Sequence, residues 1–457
     1  MSALLSVRLR AGGWRYGILV FTLAVFAVYI ASPVIQSGDS RLVIYEADNL
    51  VTHGTRNLAS FGAIVDGWPC YRQGSQVISR YPYGTTLFDI PFQSVAVSVT
   101  KLLGSSAVKN LKTVQPRPLE KTLASAITAL AAGAIVLVGL EIFGQLAPAL
   151  VLGAIFAVGS ALWSTASRGL WQQGPMALLY ALSIWAFLRG RRRESPAHIA
   201  LMGLLLGGAY VVRPTAAGVI GTTGLVLLFT WRRALIWFIP AVLLPVVPST
   251  IYNLITYHSI GIPVYGENVI NGIQPHVLTY IAGMMISPAR GLLVYSPFVI
   301  FALVGLWIRR RELNGMDLIA LVAVIGYWLV FADTTEWDAG AAYGPRYLTD
   351  ILPFCAYLVA PVIGVLFIPL RRWRAPTAAT AVVLSLAVGW GVFVNARGSL
   401  SWATQLWNST PVWINPNSPR LWSWSDPPFF RTGHYTFADL YPSAIPAVTP
   451  QQLCIYN

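Results

Sequence analysis

The chain has 457 residues, 56% of them hydrophobic and only 11% charged, with a mean hydropathy of +0.62. That composition excludes a soluble globular domain, so the length is better counted in membrane spans than in domains. The net charge of +14 does not mark a nucleic-acid binder, because the basic residues fall in short runs between apolar segments.

The first apolar run, 16–35, is long enough to cross a bilayer as a helix. It is long for a signal peptide and its small-residue cleavage pattern is poor, so it is expected to be retained. Further spans are predicted at about 122–142, 147–166, 171–188, 197–216, 217–231, 234–256, 291–308, 315–332, 347–369 and 377–395. This gives an all-α polytopic membrane protein of about 11 helices, amino terminus inside and carboxyl terminus outside. Arg8, Arg10 and Arg15 precede the first span. The clusters around Arg189–Arg193, Arg232 and Arg233, Arg309–Arg311, and Arg371, Arg372 and Arg374 each follow a later one. Short basic loops of this kind stay in the cytoplasm. Segment 85–103 is also apolar enough to cross, but a crossing would move Arg189–Arg193 outside. It is therefore read as a helix lying in or dipping into the outer interface. Lys101, Lys109 and Lys112 then sit in a long outer loop, which largely escapes the charge rule.

Asp39 stands where the first run gives out, at the mouth of the outer loop 36–121. Carboxylates at membrane depth are expensive and tend to be functional. Within that loop, 44–58 carries Ile44, Ala47, Leu50, Val51 and Leu58 at helical spacing, with Glu46 and Asp48 between them. It reads as an amphipathic helix on the membrane surface. A second outer segment, 257–290, holds His258 and His276, and a third, 333–346, holds Glu336, Trp337, Asp338 and Arg346. The proline-rich tail beyond Asn395 has Trp402, Trp407, Trp413, Trp422 and Trp424, which suit an interfacial belt or stacking on sugar rings. Cys355 lies within a span as a core filler, whereas Cys70 and Cys454 both fall outside. Those two either bridge the first loop to the tail or remain free thiols. No phosphate-binding glycine loop, paired-histidine zinc helix or nucleophile elbow is present, and no histidine pair has metal-ligand spacing.

The order of several short motifs gives the chain a likeness. Gly38-Asp39-Ser40 followed by 45–50, Arg80-Tyr81-Pro82-Tyr83-Gly84-Thr85, Val212-Arg213-Pro214-Thr215, Ser287-Pro288-Ala289-Arg290-Gly291-Leu292 and Tyr343-Gly344-Pro345-Arg346-Tyr347-Leu348 recur along it. In this order and topology they resemble the GT-C glycosyltransferases, polytopic enzymes with a polyprenyl-phosphate sugar as donor. The likeness is to the branch of the protein O-mannosyltransferases and the lipid A aminoarabinose transferase. It implies a transmembrane catalytic module over 1–370, with the last span and a Trp/Pro-rich outer tail in 371–457. It also implies a bacterial inner-membrane enzyme of the cell envelope, with its active site on the extracytoplasmic side. Two departures stand out. Ser40 replaces the glutamate that usually follows the first aspartate, and 168–173 lacks the acid that several members carry there. The second departure leans towards a metal-free reaction without a cofactor.

The implied chemistry is displacement at a sugar C1 with polyprenyl phosphate leaving. It needs a base for the acceptor hydroxyl and cations for the leaving phosphate. Asp39 suits the base; its plainer alternative is a helix-end carboxylate paired with Arg41 or a loop arginine. Arg346, beside Tyr347, and Arg213 suit the phosphate, since guanidinium matches phosphate oxygens with paired hydrogen bonds. Their plainer alternatives are an ion pair of Arg346 with Asp350 and snorkelling of Arg213 to the head groups. Arg80, with Tyr81, and Arg290 are further phosphate candidates. Glu46 and Asp48 would hold sugar hydroxyls, or simply form a wet helix face. The expected partners are the polyprenyl-phosphate sugar, an extracytoplasmic acceptor and membrane lipids, without nucleic acid. A transporter or lipid flippase is the competing class, but no internal repeat supports it and the acids gather at the outer surface. A non-catalytic assembly protein on the same scaffold is a third.

Overall fold

A computed structural model describes residues 13–36, 40–64, 70–103, 117–261, 276–334, 336–369, 374–436 and 454–456. Helices occupy each of the predicted apolar segments. In chain order the main ones are α1 (Gly13–Ala31), α2 (Arg41–His53), α3 (Gly84–Leu103), α4 (Arg117–Phe143), α5 (Leu146–Val158), α6 (Gln173–Arg193), α7 (Pro196–Val212), α8 (Ala216–Trp231) and α9 (Leu235–Tyr257). They continue with α10 (Val277–Ile286), α11 (Phe301–Arg309), α12 (Gly315–Ala332), α13 (Leu352–Leu366) and α14 (Ala375–Leu400). Among the described residues, 6 helical segments are long and apolar enough to cross a membrane, and shorter apolar helices fill in beside them. The chain is an integral membrane protein.

Helix directions follow from which side chains meet. Gly133 of α4 faces Thr22 of α1, while Lys121 reaches the carbonyls at the end of α1, so these two run antiparallel. Gly203 and Gly207 of α7 face Phe238 and Val242 of α9 in the same order, so α7 and α9 run parallel and α8 reverses between them. At the end of α4 the buried Glu141 pairs with Arg189 and, at 3.0 Å, with Arg192. One of the basic clusters thus marks a common end of α4 and α6.

The layer at the opposite end is built from the first outer loop. Helix α2 differs from the expected surface helix. It ends at Gly54, whose φ of +67° lets its N–H turn back to close the last turn. Both its sides are covered. Leu42 and Tyr45 pack with Leu58, Phe61 and Val77, whereas Val43 and Ile44 pack with Leu123, Ile127 and Leu170. Apolar residues on two faces need two covers, so the helix is buried rather than laid on the surface. Strands β1 (Cys70–Gln73) and β2 (Gln76–Ser79) form a hairpin, and β3 (Cys454–Tyr456) joins β1 in parallel with Cys454 opposite Cys70. Cys70 is disulfide-bonded and Cys355 is free, which leaves Cys454 as the partner among the three cysteines.

The described tail, up to Thr436, is packed rather than trailing. Trp407 is fully buried, donates its indole N–H to Asp426 at 2.8 Å and stacks under Arg420. Trp413 and Trp424 remain exposed, as an interfacial belt would have them.

Candidate active site

The site is built around the end of α1. A helix end leaves carbonyls without partners and carries partial negative charge, so it attracts cations. Here the buried Arg168 donates to the carbonyls of Tyr29 at 2.6 Å and Ser32 at 2.9 Å, and Lys121 donates to Ile30 at 2.8 Å. The chain leaving α1 is then stitched to the 168–171 loop. Gln36 N–H donates to the Arg168 carbonyl and Trp171 Nε1–H donates to the Gln36 carbonyl, both at 2.9 Å. Gly169 is required at this junction, because a Cβ there would lie 1.9 Å from the Gln36 carbonyl oxygen.

A second stitch lies at the start of α2. The buried carboxylate of Glu120 accepts from Ser40 Oγ at 2.5 Å and from Leu170 N–H at 3.0 Å. Ser40 and the 170–173 segment thus become opposing parts of one wall. They border a small, partly open cavity of about 30 Å³ lined by Ser40, Tyr81, Thr85, Trp171, Gln173 and Arg346, among others. The Arg346 guanidinium lies 3.7 Å from the centre of the Trp171 ring, a cation–π contact. Two buried oxygens of the lining, Thr85 Oγ1 and Gln173 Oε1, have no hydrogen-bond partner. Buried polar atoms are nearly always paired, so these two are placed for a polar ligand.

Of the predicted site residues, Tyr81 and Arg346 line this cavity together, and Asp39 itself lies outside the described residues, next to Ser40. Tyr347 adjoins a neighbouring cavity with Arg290, Asp338 and Arg346. Four other predicted residues lie away from both cavities. Arg213 neither snorkels nor faces the cavity. It is buried, pairs with Asp350 at 2.8 Å and lies against the stacked rings of Phe331 and Tyr347, so the ion pair of Asp350 is with Arg213, and Arg346 acts on it only at longer range. Glu46 is buried and already accepts from Arg56, Ser79 N–H and Thr86, at 2.8, 3.1 and 2.9 Å. Its carboxylate fastens α2 to β2 and α3 and is not presented to a sugar. Asp48 accepts from Gln93 at 2.9 Å on the side of α2 that faces α3. Arg80 is half-buried and lines neither cavity.

Sequence reasoning missed Glu120, Trp171 and Asp89. The first two sit in segments that looked like a plain helix start and an acid-free loop, and only the fold shows what they join. Asp89 of α3 did carry a signal, as an acid within an apolar interfacial helix. It is fully buried and neither carboxylate oxygen has a partner. Burial, with Glu120 and Asp48 adding repulsion, pushes its carboxyl up to about 8.

Among the described residues no group of three or more His, Cys, Asp or Glu could hold a metal ion. The described lining of Ser40, Tyr81, Thr85, glutamines and an arginine brings no carboxylate to a cation. No protein-family model and no curated protein sequence matches the chain. Its fold does match solved structures. One is ArnT from Cupriavidus metallidurans bound to undecaprenyl phosphate, at TM-score 0.52 and 13% identity over 87% of this chain and 69% of that one. The apo state of the same protein matches at 0.51 and 13%, over 87% and 79%. The archaeal oligosaccharyltransferase AglB from Archaeoglobus fulgidus, in complex with an inhibitory peptide and a dolichol-phosphate, matches at 0.50 and 11%, over 93% and 61%. The chain has the fold of the GT-C glycosyltransferases.

Proposed function

We propose that this protein transfers a sugar from a polyprenyl-phosphate donor to a hydroxyl-bearing acceptor on the extracytoplasmic face of a bacterial inner membrane. The observation that carries this reading is the cavity shared by Ser40, the neighbour of Asp39, and the stacked guanidinium of Arg346. Asp39 takes the proton of the acceptor hydroxyl as its oxygen bonds to the sugar C1. The C1–O bond to phosphate breaks, the phosphate oxygen keeps the electron pair, and Arg346 stabilises the charge that grows there. Tyr81 and Trp171 line the same cavity, and the hydrogen bonds to Glu120 hold its wall in place.

Two observations favour the outer face. The Cys70 disulfide lies in the same layer as the cavity, and disulfides persist outside the cytosol. The arginine cluster paired with Glu141 lies at the opposite end of α4 from Glu120, as the charge rule demands of a cytoplasmic end. The fold likeness to proteins described with undecaprenyl phosphate and dolichol-phosphate supports the donor class.

The test is direct. Purified protein is given radiolabelled undecaprenyl-phosphate glucose, mannose, galactose or arabinose, with a membrane extract as acceptor source. At least one label is expected to become covalently attached, and Asp39→Asn is expected to lower the rate by roughly 100-fold or more. Substantial transfer by that variant removes Asp39 from the base role. Movement of label across vesicles without attachment points instead to a carrier.

A further inference from the structure

A second cavity shares Arg346 with the first, and at its wall stands Asp338. The carboxylate is 1% exposed, and neither Oδ1 nor Oδ2 has a hydrogen-bond partner. The loop that carries it, by contrast, is heavily held. Arg290 donates to the carbonyls of Asp338 at 2.7 Å and Gly340 at 2.9 Å, and Asn408 donates to the carbonyl of Ala341 at 3.1 Å. Trp337 donates its indole N–H to Pro416 at 3.0 Å. Ala339, the next residue, sits at a φ of +59°, a conformation costly for a residue with a Cβ. The protein thus fixes the backbone on both sides of Asp338 and leaves its carboxylate in the field of Arg290 but without a hydrogen bond. A buried carboxylate in that condition costs free energy until something donates to it.

The donor must suit the surroundings. Arg290 and Arg346 border the same cavity, so a further cation is disfavoured there. Two neutral hydroxyls on adjacent carbons match a carboxylate, which accepts along both oxygens. Arg346 lines both cavities, so a phosphate held at Arg346 sets its sugar beside the wall that carries Asp338. We propose that Asp338 binds a vicinal diol of the donor sugar, making it a specificity-determining residue for a neutral, unmodified glycosyl group. This inference rests on the glycosyltransferase reading above.

The experiment separates phosphate from sugar recognition. The full-length protein in nanodiscs is titrated with bare undecaprenyl phosphate, with the glucose, mannose, galactose and arabinose esters, and with the ester of 4-amino-4-deoxyarabinose. At least one neutral ester is expected to bind more tightly than the bare lipid. Asp338→Asn is expected to abolish that gain, a loss of roughly tenfold to a hundredfold, with bare-lipid affinity unchanged. Arg346→Gln is expected to weaken bare lipid and ester alike. If Asp338→Asn does not fold, Asp338→Thr is read in the same way. Equal binding of esters by wild type and variant overturns the proposal, and so does equal weakening of ester and bare lipid. A gain confined to the amino sugar overturns the diol assignment in favour of an ammonium. A wild-type protein that binds no undecaprenyl phosphate overturns the glycosyltransferase reading, and this inference with it.

Discussion

Arg346 owes its position to a neighbour that the sequence alone gave no reason to single out. Its guanidinium lies over the Trp171 ring, where a planar group suits the contact better than a point charge. Arg346→Lys is therefore expected to lose most of the transfer rate, roughly tenfold or more, although the charge is kept. Recovery of full activity by lysine would show that a point charge suffices. Asp89 leads to a prediction of a different kind. Its folded carboxyl titrates near 8, well above the ordinary aspartate range. The unfolded chain therefore releases that proton at lower pH than the folded one. The native state loses stability as pH climbs from the ordinary aspartate range towards 8, and the loss then levels off. Asp89→Asn is expected to raise the unfolding temperature, by an amount that grows with pH over that window. A pH-independent difference would mean that Asp89 does not carry a raised pKa. At this scale legibility was uneven. Arg346 and Tyr81 could be picked out as polar residues in outer motifs. Arg213 and Glu46 looked equally suitable, because nothing in a sequence tells a charge facing a ligand from one already answered inside the protein.

The apolar runs made the helices legible, since twenty or so apolar residues have few alternatives to a spanning helix. What they could not show is how helix ends are joined, because that depends on groups far apart in sequence. The end of α1 is answered by Arg168 and Lys121, from two other elements. Gly169→Ala is expected to disrupt this junction, since the new methyl would displace the Gln36 carbonyl. A cost of about 1–3 kcal/mol, read as a lower unfolding temperature in detergent, is the expected size. Glu120→Gln replaces an acceptor of two hydrogen bonds by a weaker one and is expected to slow transfer without weakening lipid binding. Loss of binding in equal measure would assign Glu120 a general structural role instead. Helix α2 shows the limit of periodicity. Its apolar spacing was visible, yet the second cover that buries it comes from α4 and Leu170.

Across the whole molecule, hydropathy and the charge rule anticipated an all-α polytopic fold, and the solved structures of the same fold agree despite 11–13% identity. The resemblance carried by short motifs anticipated which fold. The packing of the tail was not legible, because its structure depends on pairing with distant segments such as β1 and the loop around Arg290. The cysteine arrangement makes a simple count possible. The denatured protein, kept from reductant, is expected to expose one thiol, Cys355, and to expose three after reduction. Three reactive thiols before reduction would refute the bridge.

The sheet at the outer layer has a consequence for biogenesis. Tyr81 lies two residues beyond β2, β2 pairs with β1, and among the described residues the far edge of β1 is closed by 454–456. Those residues leave the ribosome some 380 positions after their partner strand. A nascent chain therefore carries an open strand edge beside the cavity until residues 454–456 have been made and have paired with β1.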